Sequence, residues 1–279
     1  MRNARVTVSR PATRGPYAAD RRIAHGEDVW DRTPPPYDIV GDVHGCIDEL
    51  RDLLDLLGYQ PDGDGVCHPE GRTLIFLGDL NDRGPSSIGV WKLALASIRQ
   101  GAARYVPGNH DSKFVRYLMG REVQLTHGLA ATVMEFLDLP ERERRLLGHE
   151  IAETLANTPP YRILHGRRLV VAHAGLEEWM IGKVTTTVSA FARFGERTGD
   201  VTEHGFPIRR DWAADYNGKA LIVYGHTPVH EPEFRNNTIN IDQGCVFGGA
   251  LTALRYPERE LVSVPARRVY VEPSMAARR

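Results

Sequence analysis

A chain of 279 residues, 42% hydrophobic and 25% charged, can build one large domain or two small ones around a sizeable core. Its formal net charge of -1 excludes a protein that coats nucleic acid by bulk electrostatics, though not one with a local basic patch. Cys46, Cys67 and Cys245 show neither a metal-type pair spacing nor a disulfide framework, and no apolar run approaches the ~18 residues of a membrane span, so a cytoplasmic protein without a membrane role is expected.

Residues 1–36 are polar, Arg-rich and closed by Pro34-Pro35-Pro36, and are read as a tail or linker, with a short helix that docks on the domain as the alternative. From Tyr37 strands and helices alternate. Tyr37-Asp38-Ile39-Val40 predicts a short buried strand, and Ile47, Leu50, Leu53, Leu54 and Leu57 trace one helix face. Residues 73–77 predict the next strand. A stripe of Ile88, Trp91, Leu95 and Ile98 predicts a helix capped by Ser87, and Tyr105-Val106 a third strand. This βαβαβ rhythm implies a parallel sheet flanked by helices. Between 113 and 160 the strands stop. Leu129, Val133, Phe136 and Leu137 suggest one helix and Leu146, Leu147, Ile151 and Leu155 a second, together a small helical insert beside the site. Strands resume at 168–171, 221–223 and 238–241. The segments 251–254, 260–263 and 269–271 have no helices between them and are expected to be antiparallel. The domain is placed at 37–273, followed by a short tail, 274–279.

Five glycine-flanked motifs follow apolar, strand-like runs: Gly41-Asp42-Val43-His44-Gly45, Gly78-Asp79-Leu80-Asn81-Asp82-Arg83-Gly84, Gly108-Asn109-His110-Asp111, Ala172-His173-Ala174-Gly175 and Gly225-His226-Thr227-Pro228. Ligands of open α/β sheets gather at the carboxyl ends of strands, so these side chains can converge from distant points of the chain. Carboxylate, amide and imidazole donors suit Mn, Fe, Ni or Zn. Two such ions side by side can activate a water and hold a phosphate for in-line attack.

The five motifs resemble those of the calcineurin-like metallophosphoesterases, which include Ser/Thr protein phosphatases and diadenosine tetraphosphatases. Residues 123–129, 241–249 and 251–266 are similar, more narrowly, to the phosphatase module of bacterial polynucleotide kinase-phosphatase, an RNA-repair enzyme. No phosphate-binding kinase loop of the Gly-x4-Gly-Lys-Ser/Thr type is present. The resemblance implies an α/β (α+β) fold, a mixed β-sandwich flanked by helices. It implies two divalent metal ions, with manganese favoured over nickel, iron and zinc. Asp42, His44 and Asp79 would ligate the first; Asp79 would bridge to a second held by Asn109, His173 and His226. Arg83, with its planar fork, would hold phosphate oxygens. His110 would serve as the acid or electrostatic aid at the leaving oxygen. Asp111 would either orient His110 or cap the following helix. Asp242 matches an Asp that the narrower family uses at its site, against the alternative of a turn-forming Asx motif. Asn81 stands where the family more often has a small or apolar residue. His127 is given a structural place, and His25, His68, His149, His204 and His230 match no site motif.

The expected activity is hydrolysis of phosphomonoesters, specifically nucleotide or RNA 2'- or 3'-phosphate ends, so the partner is a nucleotide or an RNA end. Hydrolysis of diadenosine tetraphosphate is an alternative. Intact Asp82-Arg83-Gly84 leans away from the symmetrical type, which often lacks that Asp, and leaves the asymmetrical type open. Protein phosphatase action is another alternative. A nucleic-acid-binding protein with a vestigial site is the non-enzyme alternative, and the full ligand set argues against it. Arg116 and Arg121, near the start of the insert, are the expected contacts to a second phosphate or an RNA backbone.

Overall fold

The computed structural model describes residues 29–196 and 210–272. In chain order its elements begin with β1 (Tyr37–Val40), α1 (Ile47–Leu57), β2 (Gln60–Asp62), β3 (Gly65–Cys67), β4 (Thr73–Phe76), α2 (Ser87–Arg99), β5 (Ala103–Tyr105) and α3 (Asn109–Leu118). They continue with α4 (Leu129–Leu137), α5 (Glu141–Asn157), β6 (Arg162–Leu164), β7 (Leu169–Val171), α6 (Thr186–Phe194) and β8 (Leu221–Tyr224). The last strands are β9 (Phe234–Arg235), β10 (Thr238–Asn240), β11 (Asp242–Gln243), β12 (Ala250–Tyr256) and β13 (Glu260–Pro265).

A six-stranded sheet has the order β11-β12-β1-β4-β5, with β13 also pairing β12, and a five-stranded sheet has the order β6-β7-β8-β10-β9. β1, β4 and β5 run parallel, while β12 is antiparallel to β1, β11 and β13. Side-chain alternation along a strand explains the layering. Ile39, Ile75 and Leu77 of the first sheet meet Val171, Val223 and Ile239 of the second in a buried layer between the sheets. Val40, Leu74 and Phe76 point the other way, onto Leu50 and Leu53 of α1 and Trp91 of α2. Val170 and Ile222 cover the far side of the second sheet, against Val188 of α6 and Trp212. The result is the expected mixed sandwich flanked by helices.

Local expectations fail where short polar stretches carry no period. The exposed strand β2 and its partner β3 form a hairpin that the hydrophobic pattern does not announce. Helix α6 goes unread, although Thr185 Oγ1 caps it by accepting from Val188 N at 3.2 Å. Residues 269–271 are not a strand: Tyr270 N and Val271 N both donate to the carbonyl of Val246 at 3.1 Å, which leaves no ladder to join. Ser87 is not the cap of α2. Ser86 holds that position, and the Ser87 hydroxyl instead accepts from Asp82 N at 3.0 Å. On α5, Leu147 and Ile151 face the core, but Leu146 is 55% exposed.

Residues 29–36 are not part of a free tail. Val29 is fully buried, and Asp31 N donates to Ile163 O of β6 at 2.9 Å. The Asp31 carboxylate pairs with Arg162 at 2.9 Å and Arg104 at 3.5 Å. A composition-based tail assignment cannot see a charge that meets its partner more than a hundred residues away. Residues 1–28 and 273–279 lie outside the described residues, as do His25 and His204. Asp31→Ala leaves Arg162 without its carboxylate and is expected to lower stability by about 2–4 kcal/mol, read as a fall in denaturant midpoint at unchanged slope. A change within about 0.5 kcal/mol, the range of an ordinary surface site, would return this segment to the tail. Among the described residues no helix is long and apolar enough to cross a membrane.

Candidate metal centre

Each motif sits where a strand ends. β1 leads into Asp42 and His44, β4 into Asp79, β5 into Asn109 at the start of α3, β7 into His173 and β8 into His226. The turns are tight enough that several residues take left-handed backbone conformations, among them His44 (φ 45°), Asp79 (φ 48°) and His226 (φ 74°). At Gly108 a Cβ would collide with Asp79 Oδ1, so only glycine lets β5 approach this carboxylate.

Asp79 is the centre of the group. Its Oδ2 lies 3.7 Å from His44 Nε2 and 3.4 Å from His173 Nε2, and its Oδ1 accepts from His110 N at 2.9 Å. His44 Nδ1 is 2.9 Å from the carbonyl of Asn81, and His173 Nδ1 is 3.0 Å from the carbonyl of Leu77. A carbonyl can only accept, so both rings carry a proton on Nδ1 and turn Nε2 toward Asp79. His173 Nε2 is also 3.1 Å from Asn109 Oδ1 and 3.0 Å from His226 Nδ1. Ligand-type atoms of His44, Asp79 and His110 lie within 4.8 Å of one another, and so do those of Asp79, His173 and His226. Asp42 stands beside both groups: Oδ2 accepts from His226 N at 3.1 Å, while Oδ1 is buried with no hydrogen-bond partner.

The charges say what such a group needs. Burial and the neighbouring Asp242 carboxylate push Asp42 well above the ordinary carboxylate range. Burial lifts Asp242 to about 6. Burial also works to raise Asp79, but His173 and His110 outweigh it and hold Asp79 well below that range. Burial pulls His173 down, yet Asp79 and Asp42 carry it up to about 10. A single proton on His173 Nε2 can satisfy only one of the acceptors around it. A cation satisfies them together and meets the orphaned Asp42 oxygen as well, so the residues fit divalent ions. Asp42, His44 and Asp79 would hold one and Asp79, Asn109, His173 and His226 the other. Ions there would polarise a phosphoryl oxygen and make a water a nucleophile near neutral pH.

Arg83 extends from the loop after β4, with φ 75°, and its Nη1 is 2.6 Å from His44 Nε2. A guanidinium therefore stands at the edge of the group, where it can meet a phosphate oxygen. His110 stacks edge-on against His44 with centroids 4.8 Å apart, and its Nδ1 is 2.6 Å from Asp82 Oδ2. Asp82 is thus the residue that orients His110. Its other oxygen accepts from Thr132 Oγ1 at 2.7 Å and Asn81 Nδ2 at 2.8 Å, so α4 of the insert and the unusual Asn81 both brace it. Asn81 also accepts from Trp91 Nε1 at 3.2 Å.

Asp111 does not orient His110; of its two expected roles it takes the capping one, as its carboxylate accepts from the N–H of Gly108, the residue at the cap position of α3. In all, the carboxylate accepts from the backbone N of Asp79 (2.8 Å), Leu80 (2.9 Å) and Gly108 (2.9 Å) and from Tyr105 Oη (2.7 Å). It is a positioning residue for the Asp79 turn. Arg116 and Arg121 share no hydrogen bond or ion pair with the metal group among the described residues. Both are exposed, and Arg116 lies two turns of α3, about 10 Å along the axis, beyond Asn109. Asp242 combines both readings: Oδ1 accepts from Gly244 N at 2.9 Å in an Asx turn, and the side chain is buried beside Asp42. Arg209 lies outside the described residues, and Arg210 pairs with Asp215 at 2.7 Å on the surface.

Asp82→Asn and His110→Ala are both expected to reduce turnover about 100-fold on substrates with poor leaving groups, and much less on nitrophenyl phosphate. The double variant should lose little more than either single one, because the pair acts as a unit. Losses that multiply would separate the two roles.

A metal-binding group at the strand ends of a sandwich, with an arginine and an oriented imidazole at its edge, defines a metal-dependent phosphoesterase. The chain belongs to the calcineurin-like phosphoesterase family, whose model matches residues 35–250. It is 50% identical over 235 residues to the bis(5'-nucleosyl)-tetraphosphatase PrpE (asymmetrical) of Anoxybacillus flavithermus, covering 84% of this chain and 96% of that protein. It is 50% identical over 236 residues to the protein of the same name from Bacillus subtilis, covering 85% and 97%. Among solved structures, one described as a candidate diadenosine tetraphosphatase aligns with a TM-score of 0.59 at 25% identity over 86% of this chain and 98% of that one. A Ser/Thr phosphatase from Saccharomyces cerevisiae shares the fold at a TM-score of 0.53 and 15% identity over 86% and 81%.

These relatives overturn the expectation of an RNA-repair phosphatase acting on 2'- or 3'-phosphate ends. The stretches that suggested it are framework. Gly128 packs on the Arg83 backbone, residues 242–249 form the turn beside the metal group, and β12 is central in its sheet. The backbone of such segments places the centre whichever phosphate ester arrives, so a resemblance there does not tell one ester from another.

Proposed function

We propose that this enzyme hydrolyses dinucleoside tetraphosphates asymmetrically, into a nucleoside triphosphate and a nucleoside monophosphate. The observation that carries the reading is the 50% identity across 84% of the chain and 96% of a relative that bears this activity in its name. The site is compatible in kind: His110, Asp82 and Arg83 surround a phosphoryl position, and the substrate's other phosphates need positive charge beyond it. Manganese is the first metal to try, since carboxylate and imidazole donors suit it. Reduced Cys46, Cys67 and Cys245 fit a cytoplasmic setting, where nucleotide substrates of this class arise.

The test is product analysis by ion-exchange chromatography after incubation with diadenosine tetraphosphate and Mn, Mg, Ni or Zn. ATP and AMP in equal amounts are the expected products. Two ADP, or no turnover with any metal, would refute the reading.

A further inference from the structure

We propose that Lys113 and His127, with Arg83, form an anion subsite that holds the non-reacting phosphates of a polyphosphate chain; the assignment rests on the phosphoesterase reading of the adjoining centre. Helix α3 carries Asn109 and His110 in its first turn, and Lys113 follows one turn later on the same side. Its Nζ donates to Thr126 O at 2.9 Å and Thr126 Oγ1 at 3.0 Å, which ties the helix to the loop before α4. That loop is laid directly on the catalytic arginine, because a Cβ at Gly128 would collide with Arg83 N. His127, between Thr126 and Gly128, is exposed at φ 61° with Nδ1 3.0 Å from Thr126 Oγ1.

Thr126 Oγ1 accepts from the Lys113 ammonium and keeps its own proton free for His127 Nδ1; in that arrangement the neutral ring carries its hydrogen on Nε2. Two hydrogens of Lys113 are used on neutral oxygens, which leaves the full charge and a third donor. His127 Nε2 is a further donor at the surface.

The electrostatics point the same way. Burial holds Lys113 below its ordinary value; Asp82 opposes the fall and Arg83 adds to it. Burial, Lys113, His110 and Arg83 all push His127 down. The nearest carboxylate, Asp82, is already committed to His110, Thr132 and Asn81. Like charges gathered around a carboxylate that is committed elsewhere are unfavourable in the free protein and favourable around a bound anion. The metal group and Arg83 account for the phosphate under attack. A polyphosphate brings roughly one further negative charge per phosphate, and Lys113 and His127 are basic groups near enough to Arg83 to feel its charge.

The experiment compares inhibition of nitrophenyl phosphate hydrolysis by inorganic tripolyphosphate and by orthophosphate, with free metal held in excess. The wild-type protein should bind tripolyphosphate more tightly than orthophosphate. Lys113→Gln and His127→Asn, the latter chosen because Asn tolerates a left-handed backbone, should each shrink that ratio of inhibition constants about 10-fold or more. Lys113→Arg should keep most of it, and Arg116→Gln, two turns along α3, should keep all of it. No tripolyphosphate preference in the wild type, an unchanged ratio in Lys113→Gln and His127→Asn, or equal losses in Lys113→Arg or Arg116→Gln, would each overturn the subsite. A wild-type protein that prefers tripolyphosphate yet fails to cleave diadenosine tetraphosphate would leave the subsite standing and remove only the proposed substrate.

Discussion

Asp79→Ala is expected to reduce kcat by about 10,000-fold or more, with a parallel loss of bound metal. The reason is position. Asp79 Oδ2 lies 3.7 Å from His44 Nε2 on one side and 3.4 Å from His173 Nε2 on the other, so one oxygen belongs to both ligand groups. Removing it leaves His44 and His173 facing each other's neighbours without the charge that draws cations between them. Each ion is worth several kcal/mol of transition-state stabilisation, and the two losses occur together. Asp79→Asn keeps the size and the acceptor for His110 N but not the charge, and should fail nearly as badly. Metal content by mass spectrometry, beside turnover of nitrophenyl phosphate and diadenosine tetraphosphate, checks both halves. Near-normal turnover with full metal occupancy would sink the bridging role.

The second large effect is on stability. Asp111 is buried, and its two oxygens satisfy the backbone N–H groups of Asp79, Leu80 and Gly108 and the hydroxyl of Tyr105. Asp111→Ala strands all of these donors in a site closed to water. Each unsatisfied buried group costs about 1–3 kcal/mol, and partial relaxation reduces the sum, so a loss of about 3–5 kcal/mol is expected. Asp111→Asn should be nearly as costly, since its amide turns a donor toward donors. The fall should persist in excess chelator, because the carboxylate holds the backbone of the Asp79 turn and touches no proposed metal position. Denaturant unfolding with and without metal measures this. A loss seen only with metal present would make Asp111 part of the metal group instead.

The RNA-repair expectation failed for a physical reason. A motif reports the local backbone conformation and donor type that a centre requires, and these are common to enzymes that cleave different phosphate esters. Substrate choice depends on what stands a few ångströms outside the motif. The proposed subsite is built that way: Lys113 lies a turn beyond Asn109 and His127 in a loop with no period, and hydrogen bonds through Thr126 bring them together. Arg116 had the right charge, but it sits two turns along α3 from Asn109, at an exposed position.

By itself the sequence determined the strand-end placement of Asp42, His44, Asp79, Asn109, His173 and His226, because apolar runs ending in glycine-flanked polar residues have few other ways to fold. It determined α1 and the parallel core as well, through the spacing of Leu50, Leu53 and Leu57 and the short buried strands between helices. Only the tertiary structure decided which carboxylate serves which neighbour. Asp82 turned to His110, Asp111 to the Asp79 backbone, and Asp31 to Arg162. Cys46, Glu49 and Cys245, featureless in spacing, came to share one buried pocket of ligand-type atoms. The physical reason is the same in each case. Periodicity and turn chemistry act over a few residues, so they are written locally. A buried charge or thiol meets its partner across the sandwich, and that pairing exists only once the layers have closed.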